Sequence, residues 1–153
     1  MMADFVFNNV KGKVRFYLEL PATNDGLFLV LLKASGLEAD DTLNNYDDLA
    51  ALLAATNDEA DFGTYARKAV VPTAATIDDT NNRVDTDAPD VSSYTATGAS
   101  QAIGKALLTY DPDTTTGTDS TQVPILAWDC VITFDVGVAT TLPFNASGIF
   151  RAA

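Results

Sequence analysis

The chain reads as mainly β: a single-domain β-sandwich or barrel of about seven or eight strands, residues 1–153, with one short α-helix near residues 45–55. Three observations predict this. Gln122–Val136 (QVPILAWDCVITFDV) carries a period of two, with its large apolar residues on one face and Asp129, Thr133 and Asp135 on the other. Short apolar runs recur between clusters of turn residues such as Pro21–Gly26 and Asp78–Asn82. One segment alone, Asn44–Ala55, carries a helical period.

Taken in order, Lys13–Leu20 (KVRFYLEL) predicts the first strand. Val14, Phe16, Leu18 and Leu20 fall on one face, and Arg15, Tyr17 and Glu19 on the other. Pro21–Gly26 (PATNDG) is a turn by composition, and Leu27–Lys33 (LFLVLLK) is apolar on both faces, as a central strand is. Together they predict an N-terminal hairpin. In Asn44–Ala55 (NNYDDLAALLAA), Leu49, Leu52 and Leu53 form an apolar stripe. Asn45 is placed to cap this helix, with Asp47 and Asp48 at the positive end of its dipole.

Strand signals resume at Thr64–Val71, which ends before Pro72. Ala74–Ile77 and Arg83–Asp87 flank DDTNN and predict a hairpin. Val91–Thr97 and Ile103–Tyr110 follow. In Gln122–Val136, Leu126, Trp128, Cys130, Ile132, Phe134 and Val136 share the face predicted to enter the core. A last strand is expected within Thr141–Phe150, interrupted by Pro143.

Composition narrows function. The chain has no histidine and one cysteine. Ser-His and Cys-His pairs, His-ligated zinc, internal disulfides and CxxC sites are therefore excluded. Net charge is −12. Phosphate binding needs counter-charge and anionic lipid repels carboxylates, so direct nucleic-acid or membrane binding is not expected. The N-terminus lacks a basic segment followed by a long apolar one, so no secretory signal is expected. The longest apolar run, Leu27–Leu32, is too short to span a bilayer.

Charge is unevenly placed. Lys11, Lys13 and Arg15 cluster near the start, whereas Asp111, Asp113, Asp119, Asp129 and Asp135 lie where no basic residue occurs between Lys105 and Arg151. The plain reading is a solvated acidic surface. The sharper one is a contact in which the basic segment of one subunit (Lys11, Lys13, Arg15) meets the acidic loop of a neighbour (Asp111, Asp113, Asp119).

Other candidates resolve toward structure. Asp111–Thr121 (DPDTTTGTDST) offers alternating oxygens, but Gly117 is its seventh residue and Gln122 its twelfth. A calcium loop of the EF-hand kind wants glycine sixth and glutamate twelfth, so a solvated hairpin loop is the default and no metal or cofactor is assigned. The pairs Asp40–Asp41, Asp47–Asp48 and Asp78–Asp79 sit in turns or at a helix start, where exposed carboxylates are ordinary. Cys130 and Trp128 read as core. Arg67 and Lys68 are expected on opposite faces of a strand, which argues against a phosphate clamp. Gly104-Lys105 lacks the upstream glycine and the Ser/Thr of a P-loop.

Several stretches carry a resemblance: FVFNNVKGKV at Phe5–Val14, YDDLAALLAATNDEADFGTYARK at Tyr46–Lys68 and DDTNNRVDTDAPD at Asp78–Asp90. LLTYDPDTTTGTDSTQVPI at Leu107–Ile125 and the terminal GIFRAA join them. In these the chain resembles small virion structural proteins of tailed bacteriophages. The resemblance covers most of the chain and lies in turns and strand cores, not in chemical motifs. It implies a role in particle architecture, assembled in the host cytoplasm and without catalysis. The leading expectation is a capsid decoration (cement) protein on the outer surface of the head. It would be homo-oligomeric and bound to the major capsid protein or other virion subunits. The alternative is a tail, neck or fibre-associated virion protein. A carbohydrate-binding module stands behind these, and an enzyme last.

Overall fold

The structure is a computed structural model that describes residues 4–142 and 149–152. It is mainly β and antiparallel. The strands are β1 (Phe5–Val6), β2 (Gly26–Lys33), β3 (Lys68–Val70), β4 (Thr76–Asp78), β5 (Arg83–Thr86), β6 (Val91–Thr95), β7 (Gln101–Asp111), β8 (Val123–Phe134), β9 (Ala139–Leu142) and β10 (Phe150–Ala152). A main sheet has the order β1-β8-β7-β2-β3, a small sheet β10-β5-β4, and a ribbon β6-β9. Among the described residues both edges of the main sheet are unpaired, so the barrel alternative is set aside in favour of sandwich-like packing.

The two long strands build the centre. β7 and β8 pair from Gln101↔Phe134 to Tyr110↔Val123, and β2 pairs β7 along its whole length. At one end of this ladder, Lys105–Asp111 and Pro124–Trp128 are buried without interruption. Consecutive burial means that both faces are covered. At the other end β8 alternates, with Cys130 and Phe134 buried and Val131 exposed at 91%. On the covered face there, Phe134 meets Phe62 at 5.3 Å and Tyr94 of β6 at 5.6 Å between ring centroids. These rings join the ribbon to the main sheet. The buried apolar side chains form one connected core.

The sequence patterns place most strands. Leu27–Lys33 is an inner strand as expected, the Ala74–Asp87 hairpin is present as β4 and β5, and Trp128 and Cys130 are buried. Burial pushes the Cys130 thiol up to about 11, an inert small hydrophobe.

Other expectations are corrected. Val14–Leu18 is a helix, α1, not a strand, and no N-terminal hairpin forms; β2 pairs β3 and β7 instead. Val14 and Leu18 stand four apart, so the apolar residues that alternate also satisfy a helical stripe. Burial of both, with Phe16 exposed, shows which period won. The expected single helix over 44–55 shrinks to α3 (Leu49–Ala54), preceded by α2 (Asp40–Leu43). Asp48 is the cap, accepting from the Ala51 N–H at 2.8 Å, while Asn45 donates to the Asp41 carbonyl instead. Leu49 and Leu52 are buried as its stripe requires. Thr64–Val71 contributes only Lys68–Val70 as strand, and Val136 is exposed rather than core. Part of the expected final strand, 143–148, lies outside the described residues.

Candidate functional site

The residues singled out by charge fall into two unlike settings. Lys11 and Lys13 lie on the segment between β1 and α1, after a 3-10 turn (Asn8–Val10) and on either side of Gly12, whose φ of 83° suits glycine, and Arg15 lies in the first turn of α1. All three cations are exposed. Arg15 pairs with Glu19 one helical turn on, at 2.7 Å. Among the described residues, Lys11 and Lys13 form no ion pair.

The acidic loop between β7 and β8 is largely exposed, but its three carboxylates are engaged within the fold. Asp111 is only 4% exposed. Its carboxylate accepts from the Asp113 N–H at 3.0 Å and from the Gln122 side-chain amide at 3.1 Å. Gly117 folds back over this carboxylate, and its N–H donates to the Asp113 carbonyl at 2.6 Å. A Cβ on Gly117 would sit 2.5 Å from that carbonyl and closer still to Asp111. Asp113 accepts from the Thr115 and Thr116 hydroxyls, both at 2.5 Å, and from the Thr115 N–H at 3.0 Å. These bonds, Thr115 first, lower its carboxyl to about 2.

Asp119 is the loop's link to the rest of the fold. It receives both terminal nitrogens of Arg67, at 2.5 and 3.1 Å. The same guanidinium gives two further bonds to Glu59, at 2.8 and 2.6 Å. Paired first by Glu59 and then by Asp119, against the opposing effect of burial, it holds its proton more tightly than a free arginine. Glu59 also accepts from the Tyr65 hydroxyl at 2.8 Å, whose oxygen accepts from the Leu31 N–H at 3.1 Å. A chain of polar contacts thus runs from the acidic loop to the backbone of β2.

Lys105 is a second buried cation. Its side chain is 2% exposed, and its Nζ lies 2.6 Å from Asp40 at the start of α2 and 2.8 Å from Asp129, its cross-strand partner on β8. The ring of Phe5 lies 5.1 Å away. Burial alone favours the neutral amine, but the bonds to Asp129 and Asp40 outweigh it and raise its pKa.

The remaining cations are also engaged. Lys33 meets Asp61 at 2.9 Å, Arg83 lies between Asp78 and Asp85, and Arg151 bonds Asp85 at 2.7 Å. Lys68 donates to the Ser93 carbonyl and lies over the Tyr94 ring. Among the described residues, the chain therefore pairs none of Lys11, Lys13 and Arg15 with Asp111, Asp113 or Asp119, and it engages Asp111 with Gln122 and Asp119 with Arg67. The Arg67 network and the Lys105 pairs escaped sequence reasoning. A lysine inside the apolar run IGKALLTY was the available signal, because a charge in such a run has to be paired.

Among the described residues, no group of three or more His, Cys, Asp or Glu side chains is arranged to hold a metal ion. Among the same residues, no helix is long and apolar enough to cross a membrane. A groove of ≈ 380 Å³ lies beside the basic segment, lined by Asp4, Phe5, Val6 and Lys11 and by Phe150 and Arg151, with the buried Val14 and Ile149 beneath. No protein-family model, no curated protein and no solved structure matches this chain.

Proposed function

We propose that the chain is a structural subunit of a tailed-bacteriophage particle, a decoration protein that binds the outer head shell and reinforces contacts between capsomers. One observation supports the reading above others: the segregation of its charge. The cations beyond residue 13 are held by partners within the fold, whereas Lys11 and Lys13 stay exposed and unpaired among the described residues. With a net charge of −12, this leaves an acidic exterior and one cationic segment beside an apolar groove. In the proposed role that segment docks on the major capsid protein and the acidic remainder faces solvent, where it suppresses non-specific contacts. The added interface between shell subunits resists internal pressure, and the task asked of the chain is binding, not catalysis.

The test is a reconstruction by electron cryo-microscopy of the intact particle that carries this chain. Density on the outer shell, at repeated positions between capsomers, is the expected result. Density confined to the tail, neck or fibres overturns the decoration reading in favour of that alternative.

A further inference from the structure

We infer that two copies of this chain associate head to tail, the β4 edge of one entering the groove between β1 and β10 of the next. This deepens the homo-oligomer part of the proposed function and names the surfaces that make it.

The groove lies between two sheet edges. β1 is the outer strand of the main sheet, and β10 is the outer strand of the small one. The Phe7 N–H donates to Ile125 of β8 at 3.1 Å. Antiparallel bonding alternates, so the N–H and C=O of Val6 turn away from β8, toward the groove that Val6 lines. An extended segment laid there finds the Val6 backbone, the apolar side chains of Phe5, Val6 and Phe150, and Lys11, which forms no ion pair among the described residues, with Lys13 two residues on. This is the setting in which strand addition supplies affinity from the main chain and selectivity from side chains.

The same molecule carries a matching edge. β4 lies at the opposite side of the small sheet from β10 and, among the described residues, pairs only β5. Its Ile77 is 63% exposed. The next residue but one, Asp79, is exposed and forms no ion pair among the described residues. Ile77 meets these apolar side chains while Asp79 faces Lys11 and Lys13 of the neighbour. An open edge with an exposed isoleucine is a liability that such a contact removes. Because β4 and β10 are opposite edges of one sheet, the contact is heterologous. Repeated, it closes a ring or extends a filament, continuing the small sheet from copy to copy.

Sedimentation velocity and light scattering on the purified full chain across a concentration series test this. The wild-type chain is expected to self-associate. Ile77→Lys, a surface change that leaves the core intact, is expected to weaken association by about tenfold or more. Lys11→Glu with Lys13→Glu is expected to do the same, and adding Asp79→Lys to that pair is expected to restore it. Circular dichroism checks that each variant is folded. A wild-type chain that stays monomeric to its solubility limit overturns the inference, as does an oligomer indifferent to both sets of changes. A monomer refutes this contact and leaves the shell reading to the particle reconstruction.

Discussion

The acidic loop of Asp111, Asp113 and Asp119 and the basic segment of Lys11, Lys13 and Arg15 look like complementary charges in the sequence, yet the fold treats them oppositely. The loop's carboxylates are engaged: one is buried, one binds its own loop, and one grips Arg67. The basic segment is left on the surface, with Lys11 and Lys13 unpaired among the described residues. A cluster of like charge is therefore no guide to what it contacts. What separates the two is reach. The loop joins two long strands and reaches Arg67, whereas the basic segment runs into a five-residue helix, where Arg15 finds Glu19.

The sharpest way to break this comparison is to remove the cation that the loop depends on. Arg67→Met leaves Glu59 and Asp119 facing each other with no counter-charge. It is expected to cost about 3 kcal/mol, since an ion left alone in a part-buried site keeps its desolvation penalty. Urea denaturation reads this directly, and an unchanged midpoint would mean that the loop is not anchored there. Gly117→Ala comes next, at about 2 kcal/mol, because the added methyl collides with backbone and must move the loop. Thermal unfolding measures it, and a neutral result would show the loop free to open.

The pH response is smaller and local. Asp113 is held at about 2 in the folded chain, below the value of about 4 for a free aspartate. Its contribution is fully present above the unfolded value and is lost as pH falls through the folded one. The loop is thus expected to loosen between about pH 4 and pH 2. Carboxyl carbon shifts in NMR follow this, and Asp113→Ala is expected to remove that titration. The smallest effect belongs to the basic segment: Lys11→Ala with Lys13→Ala is expected to shift stability by no more than about 0.5 kcal/mol. A larger loss in the unfolding curve would erase the contrast between the two regions.

Much of the fold is legible in the sequence where one face is buried and the other wet. From Asp129 onward β8 does this: Cys130 and Phe134 are buried, while Asp129, Val131 and Thr133 are exposed. The turn cluster DDTNN joins the hairpin of β4 and β5. Legibility fails where a short run fits two periods. Val14–Leu18 satisfies both, and the face Tyr17 presents to Tyr110, at 4.8 Å between rings, belongs to a contact distant in the chain. The candidate site was readable as residue types and not as relations. Asp111, Asp113 and Asp119 were visible, whereas Glu59 and Arg67, which give Asp119 its role, lie 60 and 52 residues from it in sequence.

By itself the sequence determined what depends on neighbours along the chain: the β character of the two long strands, the hairpin turn, the buried cysteine and the absence of imidazole chemistry. The tertiary structure decided that residues 14–18 coil, that Asp48 and not Asn45 caps α3, and that Lys105 and Arg67 are locked within the fold. The physical reason is that alternation and turn propensity act over a few residues. Paying for a buried charge, or choosing between two periods that fit equally well, requires partners that only the folded chain brings within reach.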